Sequence, residues 1–449
     1  MKKSFIILAF IMSFIVDAQT NPAITSWLQN TTNIMGRHYV SGNSTPINDN
    51  VLANVQTVFY DDTNAYVSAT GIPAYITGPF QDGNPSLATA QNSIFKFPLF
   101  PTQNTGTATT TNGGNIGVFI NGVALFDYRD GVSWNNATGA LCGGPGNTPC
   151  SGGPAAVQAW SRDAIPAEKA GFDCAKAHPA MGNYHHHQNP SAFNLDLVVI
   201  SNICSTYPSD GLYVINTAQH SPLIGFAYDG FPIYGAYAYA NSDGTGAITR
   251  MKSSYQLPAG VTTRTNGPDI NQVVGTQTFF QGYFRDDYVY VSNTSSDYLD
   301  EHNGRFCITP EYPNGIYCYF ATVDANHNSA YPYVVGPTFY GNKVALTVTS
   351  IPTGTTNYVL SSGDFDLNNL KITVYPNPAS DFIAIQTDLV ENNLKIELTN
   401  ELGQLVKRSE IFQGSTLSII ETDTLYNGIY FVKISDGKVF KNIKVIINK

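Results

Sequence analysis

Eight histidines occur in 449 residues, and His178, His185, His186 and His187 fall within ten positions of one another. The last three stand in the run Gly182-Asn183-Tyr184-His185-His186-His187-Gln188-Asn189-Pro190. A neutral imidazole offers a lone pair to a metal, at ~2.0–2.1 Å for zinc, or exchanges a proton near neutral pH. In an extended run alternate residues share a face, so His185 and His187 point one way and His186 the other. Pro179-Ala180-Met181-Gly182 permits a turn back, which lets His178 supply a third nitrogen. Asp229, in the turn-forming Tyr228-Asp229-Gly230-Phe231-Pro232, is a candidate carboxylate ligand. Three nitrogens and one oxygen suit zinc or copper with a position left for water. Two other readings stay open: acid–base histidines without a metal, and histidines that donate to backbone carbonyls and hold structure.

Asp229 and Arg305 are the candidate catalytic side chains outside the cluster. Arg305, beside Asp300 and Glu301, could clamp an anion or a carboxylate. Each has a plain alternative, because Asp-Gly and Asn303-Gly304 are good turn chemistry and the side chains could serve the backbone. His220, His302 and His327 read as structural. Tyr228, Phe231, Tyr234, Tyr317, Tyr319 and Tyr333 could stack on sugar rings, but are expected mainly in the core. No phosphate-binding glycine loop, nucleophile elbow or HExxH helix occurs in the sequence.

The elements that must carry these residues read as strands. Residues 51–60, 65–68 and 117–126 alternate or run apolar, the last with a turn at Asn121-Gly122. Only residues 155–175 look helical. The expected fold class is mainly β: a β-rich central region with long loops and disulfides, followed by a small C-terminal antiparallel β-sandwich.

Charged residues are only 12% of the chain and the net charge is −10, which argues against nucleic acid as a partner. Met1-Lys2-Lys3 and the apolar stretch from Ser4 to Val16 read as a signal peptide over residues 1–18. No later stretch is long and apolar enough to predict a membrane-spanning helix. Export fits the six cysteines, which allow fifteen pairings. Cys142 and Cys150 flank a Gly/Pro loop that they could close. Cys307 and Cys318 flank a hairpin-like turn that would set them roughly opposite each other. Cys174 and Cys204 remain as a possible third pair. A Cys/His zinc site lacks CxxC spacing.

The first 370 residues hold 14 basic and 24 acidic side chains, whereas the remainder balances at nine and nine. Texture changes at the same place, from Gly-, Pro- and aromatic-rich to five short alternating strands. The reading is therefore a functional region over 19–346, a linker over 347–369 and a tail over 370–449. The tail carries Val374-Tyr375-Pro376-Asn377-Pro378, Ala379-Ser380-Asp381, Glu401-Leu402-Gly403-Gln404 and Gly428-Ile429-Tyr430-Phe431-Val432-Lys433-Ile434. These resemble the type A C-terminal sorting domain of the type IX secretion system. The resemblance implies the type IX machinery as partner and a secreted, extracellular or cell-surface location.

The central region also resembles a known family, the YHYH domain proteins. The matching pieces are His178-Pro179 and the histidine run, Asp229-Gly230-Phe231-Pro232-Ile233-Tyr234-Gly235, Asn303-Gly304-Arg305, Tyr331-Pro332-Tyr333, and the strand from Gly117 to Val123. They span about residues 50 to 341. One departure stands out: the family's second tyrosine is His186 here. The resemblance implies one coherent domain and brings no reaction with it. The residues lead to the expectation of a secreted zinc- or copper-binding protein, whose catalytic form would be a metalloenzyme acting through His178, His185 and His187 on an extracellular polysaccharide or other polymer. The alternative is non-catalytic metal capture, surface binding or adhesion.

Overall fold

The computed structural model describes residues 21–81, 87–144, 146–151, 158–197, 201–359, 371–387, 390, 393–412, 415–436 and 440–449. The expected signal peptide and residues 360–370 lie outside them. The chain divides into two compact units, Met1–Val359 and Leu360–Lys449. Both are built from strands, as the alternation predicts.

The first unit centres on an eight-stranded sheet. Its strands run, side by side, His178–Ala180, Asn183–His186, Ala124–Phe126, Asn115–Phe119, Leu223–Ala227, Pro232–Tyr234, Ile316–Phe320 and Gly304–Cys307. A five-stranded sheet holds Leu346–Val348, Ser93–Pro98, Asn64–Ala69, Val55–Tyr60 and Thr356–Tyr358. One apolar core joins their residues: Val58, Val67 and Phe97 from the second sheet, Val118, Phe226 and Ile233 from the first. Trp27 fills the space between, its ring 5.4 Å from Phe97 and 5.3 Å from Phe226. The six aromatics weighed as a sugar platform are all buried, so they are core. The strand Thr356–Tyr358 pairs with Val58–Tyr60, so the first unit runs past 346 into the segment read as linker.

Of the stretch expected to be helical, residues 155–157 lie outside the described residues, and the rest holds one turn and a half of helix. Asp163 caps Ala164–Glu168 by accepting from the Ile165 amide, and a 3-10 turn at Lys169–Gly171 follows. Two disulfides form, Cys142–Cys150 and Cys174–Cys204. The third expected pair does not: Cys307 and Cys318 are buried thiols. The two thiols are in contact but sit diagonally across the hairpin. Cys307 stands opposite Ile316, and Cys318 stands opposite Arg305, so the two are two positions out of step across the hairpin.

The second unit is a two-layer β-structure. Thr373–Tyr375, Phe382–Gln386 and Leu417–Glu421 form one sheet; Leu405–Ile411, Leu394–Asn400, Gly428–Ser435 and Phe440–Ile447 form the other. Alternate residues such as Ile383, Ile396, Val432 and Val445 bury themselves between the layers. Among the described residues no helix is long and apolar enough to cross a membrane.

Candidate metal centre

The histidine cluster is made by a two-residue hairpin. Met181 and Gly182 both take positive φ, +48° and +85°, the backbone that twists an antiparallel pair correctly. Across that turn Ala180 faces Asn183, Pro179 faces Tyr184 and His178 faces His185. Directly opposed residues share a face of the sheet, so His178 and His185 meet. His187, two residues on, joins them. One ligand nitrogen from each lies within 4.8 Å of the others, and all three residues are buried.

His186 points to the opposite side, as alternation predicts. Its Nδ1 lies 3.2 Å from the Lys176 carbonyl and its Nε2 2.8 Å from the Tyr75 hydroxyl. Burial pushes its pKa down to about 3, so it stays a neutral, bonded part of the interior.

The tautomers of the other rings follow from their partners. His185 Nδ1 lies 2.9 Å from the Asn183 carbonyl, and His187 Nδ1 lies 2.7 Å from the Asp127 carbonyl. A carbonyl only accepts, so each Nδ1 carries the proton and donates it. Each neutral ring then has only a lone pair on Nε2. Those two Nε2 atoms face each other at 3.1 Å. Beside them Glu168 Oε2 lies 3.3 Å from His178 Nε2 and 3.3 Å from His187 Nε2. That oxygen is buried, and His178 and His187 are the groups beside it that can donate to it. Lone pairs and a carboxylate converge on one point, an arrangement that calls for a cation there, a proton or a metal ion.

The walls of the site keep water out. Phe126 stacks on His185 with centroids 3.8 Å apart, and Phe172 meets His178 edge-on at 4.9 Å. Burial, with His187 and His178 packed beside it, holds the His185 pKa well below the ordinary histidine value. Burial pushes the Glu168 carboxyl up, but His178 and His187 outweigh it and hold the acid well below its usual range. Four ligands in a tetrahedron at ~2.0–2.1 Å from zinc stand roughly 3.3–3.4 Å apart. Three of the six edges, at 3.1, 3.3 and 3.3 Å, lie near that value, while the three imidazole nitrogens as a set spread over up to 4.8 Å. The ring-nitrogen bonds to carbonyls are the outer-shell contacts that orient metal-binding histidines.

Glu168 is absent from the expected ligands. It sits inside the stretch read as helical, but the sequence offers no local link between it and the histidines. Asp229, the oxygen proposed from the sequence, serves the framework instead. It accepts from the Tyr319 hydroxyl, the Gly341 amide at 2.8 Å and the Phe231 amide at 3.3 Å. Arg305 does the same work: its guanidinium donates to the carbonyls of Ser296, Ala240 and Tyr239. Asp300, proposed as its neighbour in a clamp, accepts from the Tyr317 hydroxyl and the His302 and Gly304 amides. Neither Asp229 nor Arg305 bonds to the histidine cluster among the described residues.

Comparison with known proteins follows the same division of the chain. A family model described as YHYH protein matches residues 94–332, and one described as secretion system C-terminal sorting domain matches residues 373–448. No curated protein matches the chain. Among solved structures it is similar to PorZ, an essential surface component of the type IX secretion system of Porphyromonas gingivalis, at 13% identity and a TM-score of 0.19. That likeness covers 91% of this chain and 53% of the other, so the chain spans about half its length; the score is too low to carry an argument. The sorting domain makes this a secreted or cell-surface protein and implies engagement with the type IX secretion machinery.

Proposed function

We propose that this chain, which belongs to the YHYH protein family, holds one zinc or copper ion on His178, His185 and His187, with Glu168 as the fourth donor. One observation carries the reading: the two Nε2 lone pairs fixed 3.1 Å apart, with both Nδ1 protons already given to carbonyls. Without a cation that pair repels; with one it is a chelate. A set of four protein donors behind aromatic walls favours holding the ion over opening it to substrate. Metal capture or a metal-stabilised surface protein is therefore the better-supported form of the function.

The metalloenzyme acting on an extracellular polymer remains as a second form, supported by a single feature. Glu168 has 23% of its side chain exposed, against 3% and 8% for His187 and His178. If it swings out, a coordination position opens for water. Bound there, the ion would lower the pKa of that water and supply a nucleophile; the three imidazoles would fix its position and Glu168 would face the vacated side. Elemental analysis of the purified chain, equilibrated separately with zinc and with copper, decides the common claim. About one ion per chain is expected, lost in His185→Ala and His187→Ala. Wild-type protein with negligible metal after both equilibrations overturns both forms.

A further inference from the structure

Ten residues before His186, on the interior side of the same segment, lies a second buried constellation that the metal centre does not use. Lys176 Nζ stands 2.6 Å from Asp196 Oδ1, and the two side chains are 0% and 3% exposed. Few lysines are buried so completely. The Phe193 ring lies 5.9 Å from Nζ, and Phe193 is itself buried. Both backbones are pinned. Lys176 takes a positive φ of +67°, and its amide donates to the Asp173 carbonyl. The Cys174–Cys204 disulfide holds the chain two residues before it. The Phe193 amide donates to the Cys174 carbonyl, so the Asp196 turn is tied directly to the lysine segment.

We propose that Lys176 and Asp196 condense in the folded chain to an intramolecular amide between Nζ and the Asp196 side-chain carboxyl carbon. The ammonium passes one proton to the carboxylate across the 2.6 Å contact. The free amine attacks the carboxyl carbon, an N–C bond forms, and a C–O bond breaks. The oxygen leaves as water, taking up the second amine proton. The sum is one ammonium and one carboxylate converted to one amide and one water, with no oxidant or reductant needed.

Two physical terms favour the step. Held groups at contact distance replace a bimolecular encounter with a unimolecular one, and such pre-orientation reaches effective molarities of about 10⁵ M or more. A buried ion pair also carries a desolvation cost of several kcal/mol per charge, which the neutral amide removes. Burial pushes the Asp196 carboxyl above its usual range against the pull of Lys176, which favours the protonated acid that the condensation needs. Asp324 and His327 are the other charged groups facing Asp196. The buried Tyr213 hydroxyl, near enough to feel the Asp196 charge, has no hydrogen-bond partner among the described residues.

The test is mass spectrometry of the folded full chain after unfolding, reduction, alkylation and digestion with trypsin. Cleavage after Lys176 would separate residues 170–176 from 177–250. The cross-link predicts instead a single fragment, 170–250, uncut at Lys176 and lighter than its sequence by one water. In Lys176→Arg the water loss is expected to vanish and cleavage at 176 to return. Wild-type protein cleaved at Lys176 at full sequence mass overturns the proposal. So does a water loss that persists in Lys176→Arg, because a succinimide at Asp210-Gly211 or Asp229-Gly230 gives the same mass change. The wild-type measurement decides the matter even where the variant fails to fold.

Discussion

His185, His186 and His187 are chemically identical and do two different jobs, set by what each ring nitrogen meets. His186 spends both nitrogens on the interior, at Lys176 and Tyr75. Its replacement by alanine therefore removes two hydrogen bonds and a packed ring. We expect a stability loss of about 2–4 kcal/mol with metal content unchanged. His185→Ala should show the reverse pattern, loss of the ion and of any zinc-dependent rise in Tm. Calorimetric melting with and without metal reads both; a His186→Ala protein that loses its ion while still folded would overturn this division of labour. Glu168 can be isolated at the same scale. Glu168→Gln keeps its size but removes its charge, and its amide would donate to a lone pair that the metal needs. Metal affinity should fall at least about tenfold, measured by competition with a chelator. Unchanged affinity would show that the carboxylate is not a ligand.

The hairpin is the element that turns four sequence positions into one site. Gly182 is its weak point: φ is +85°, and a Cβ added there would lie 2.2 Å from Thr89 Oγ1. Gly131 supplies the control, with φ of +82° and nothing within 4 Å of the added atom. Both Gly→Ala changes incur the left-handed backbone cost of ~1–2 kcal/mol. Gly182→Ala should lose more, and Thr89→Ala in the same chain should restore part of the difference. Equal losses in urea melts for the two glycines would remove Thr89 from the argument. This hairpin was legible in the sequence because its signals are local: a two-residue alternation, a glycine, and a His-Pro a few positions upstream. Glu168 was not legible, since only the tertiary fold brings its helix against the strand. The Asp127 carbonyl that fixes His187 is likewise 60 positions away. Asp229 was ambiguous for the opposite reason. A carboxylate in a turn looks equally good as a ligand and as a backbone acceptor, and only the observed partners choose between them. The cysteines show the same limit, because a hairpin turn predicts that Cys307 and Cys318 are neighbours but not that the register leaves them two positions apart.

Over the whole chain, address and chemistry are kept apart. The sorting tail has its own core of Ile383, Ile396, Leu398 and Val432, while the proposed metal centre draws on residues between 126 and 187. Cleavage within 360–370 should therefore leave a first unit with the same metal content, checked by elemental analysis; loss of the ion on cleavage would refute the separation. Within that unit Asp163 ties distant parts together. It caps the helix that carries Glu168 and accepts from the Tyr333 hydroxyl, 170 positions on, at 2.6 Å. Burial raises its pKa from 3.8 to about 8, against the hydrogen bonds from Tyr333 and Ile165. For an acid raised in the folded state, folding binds a proton. Its stabilising share is complete below the unfolded value of 3.8 and is lost as pH climbs through about 8. Between those limits the wild type should lose stability relative to Asp163→Asn by up to about 1.4 kcal/mol per pH unit. Other buried acids, Asp173 and Asp229 among them, shift the same way, so the difference between the two proteins isolates Asp163. Urea melts at intervals from pH 4 to 8 measure it. Parallel curves would mean that Asp163 is ionised in the folded chain, with Tyr333 and the Ile165 amide enough to hold its charge.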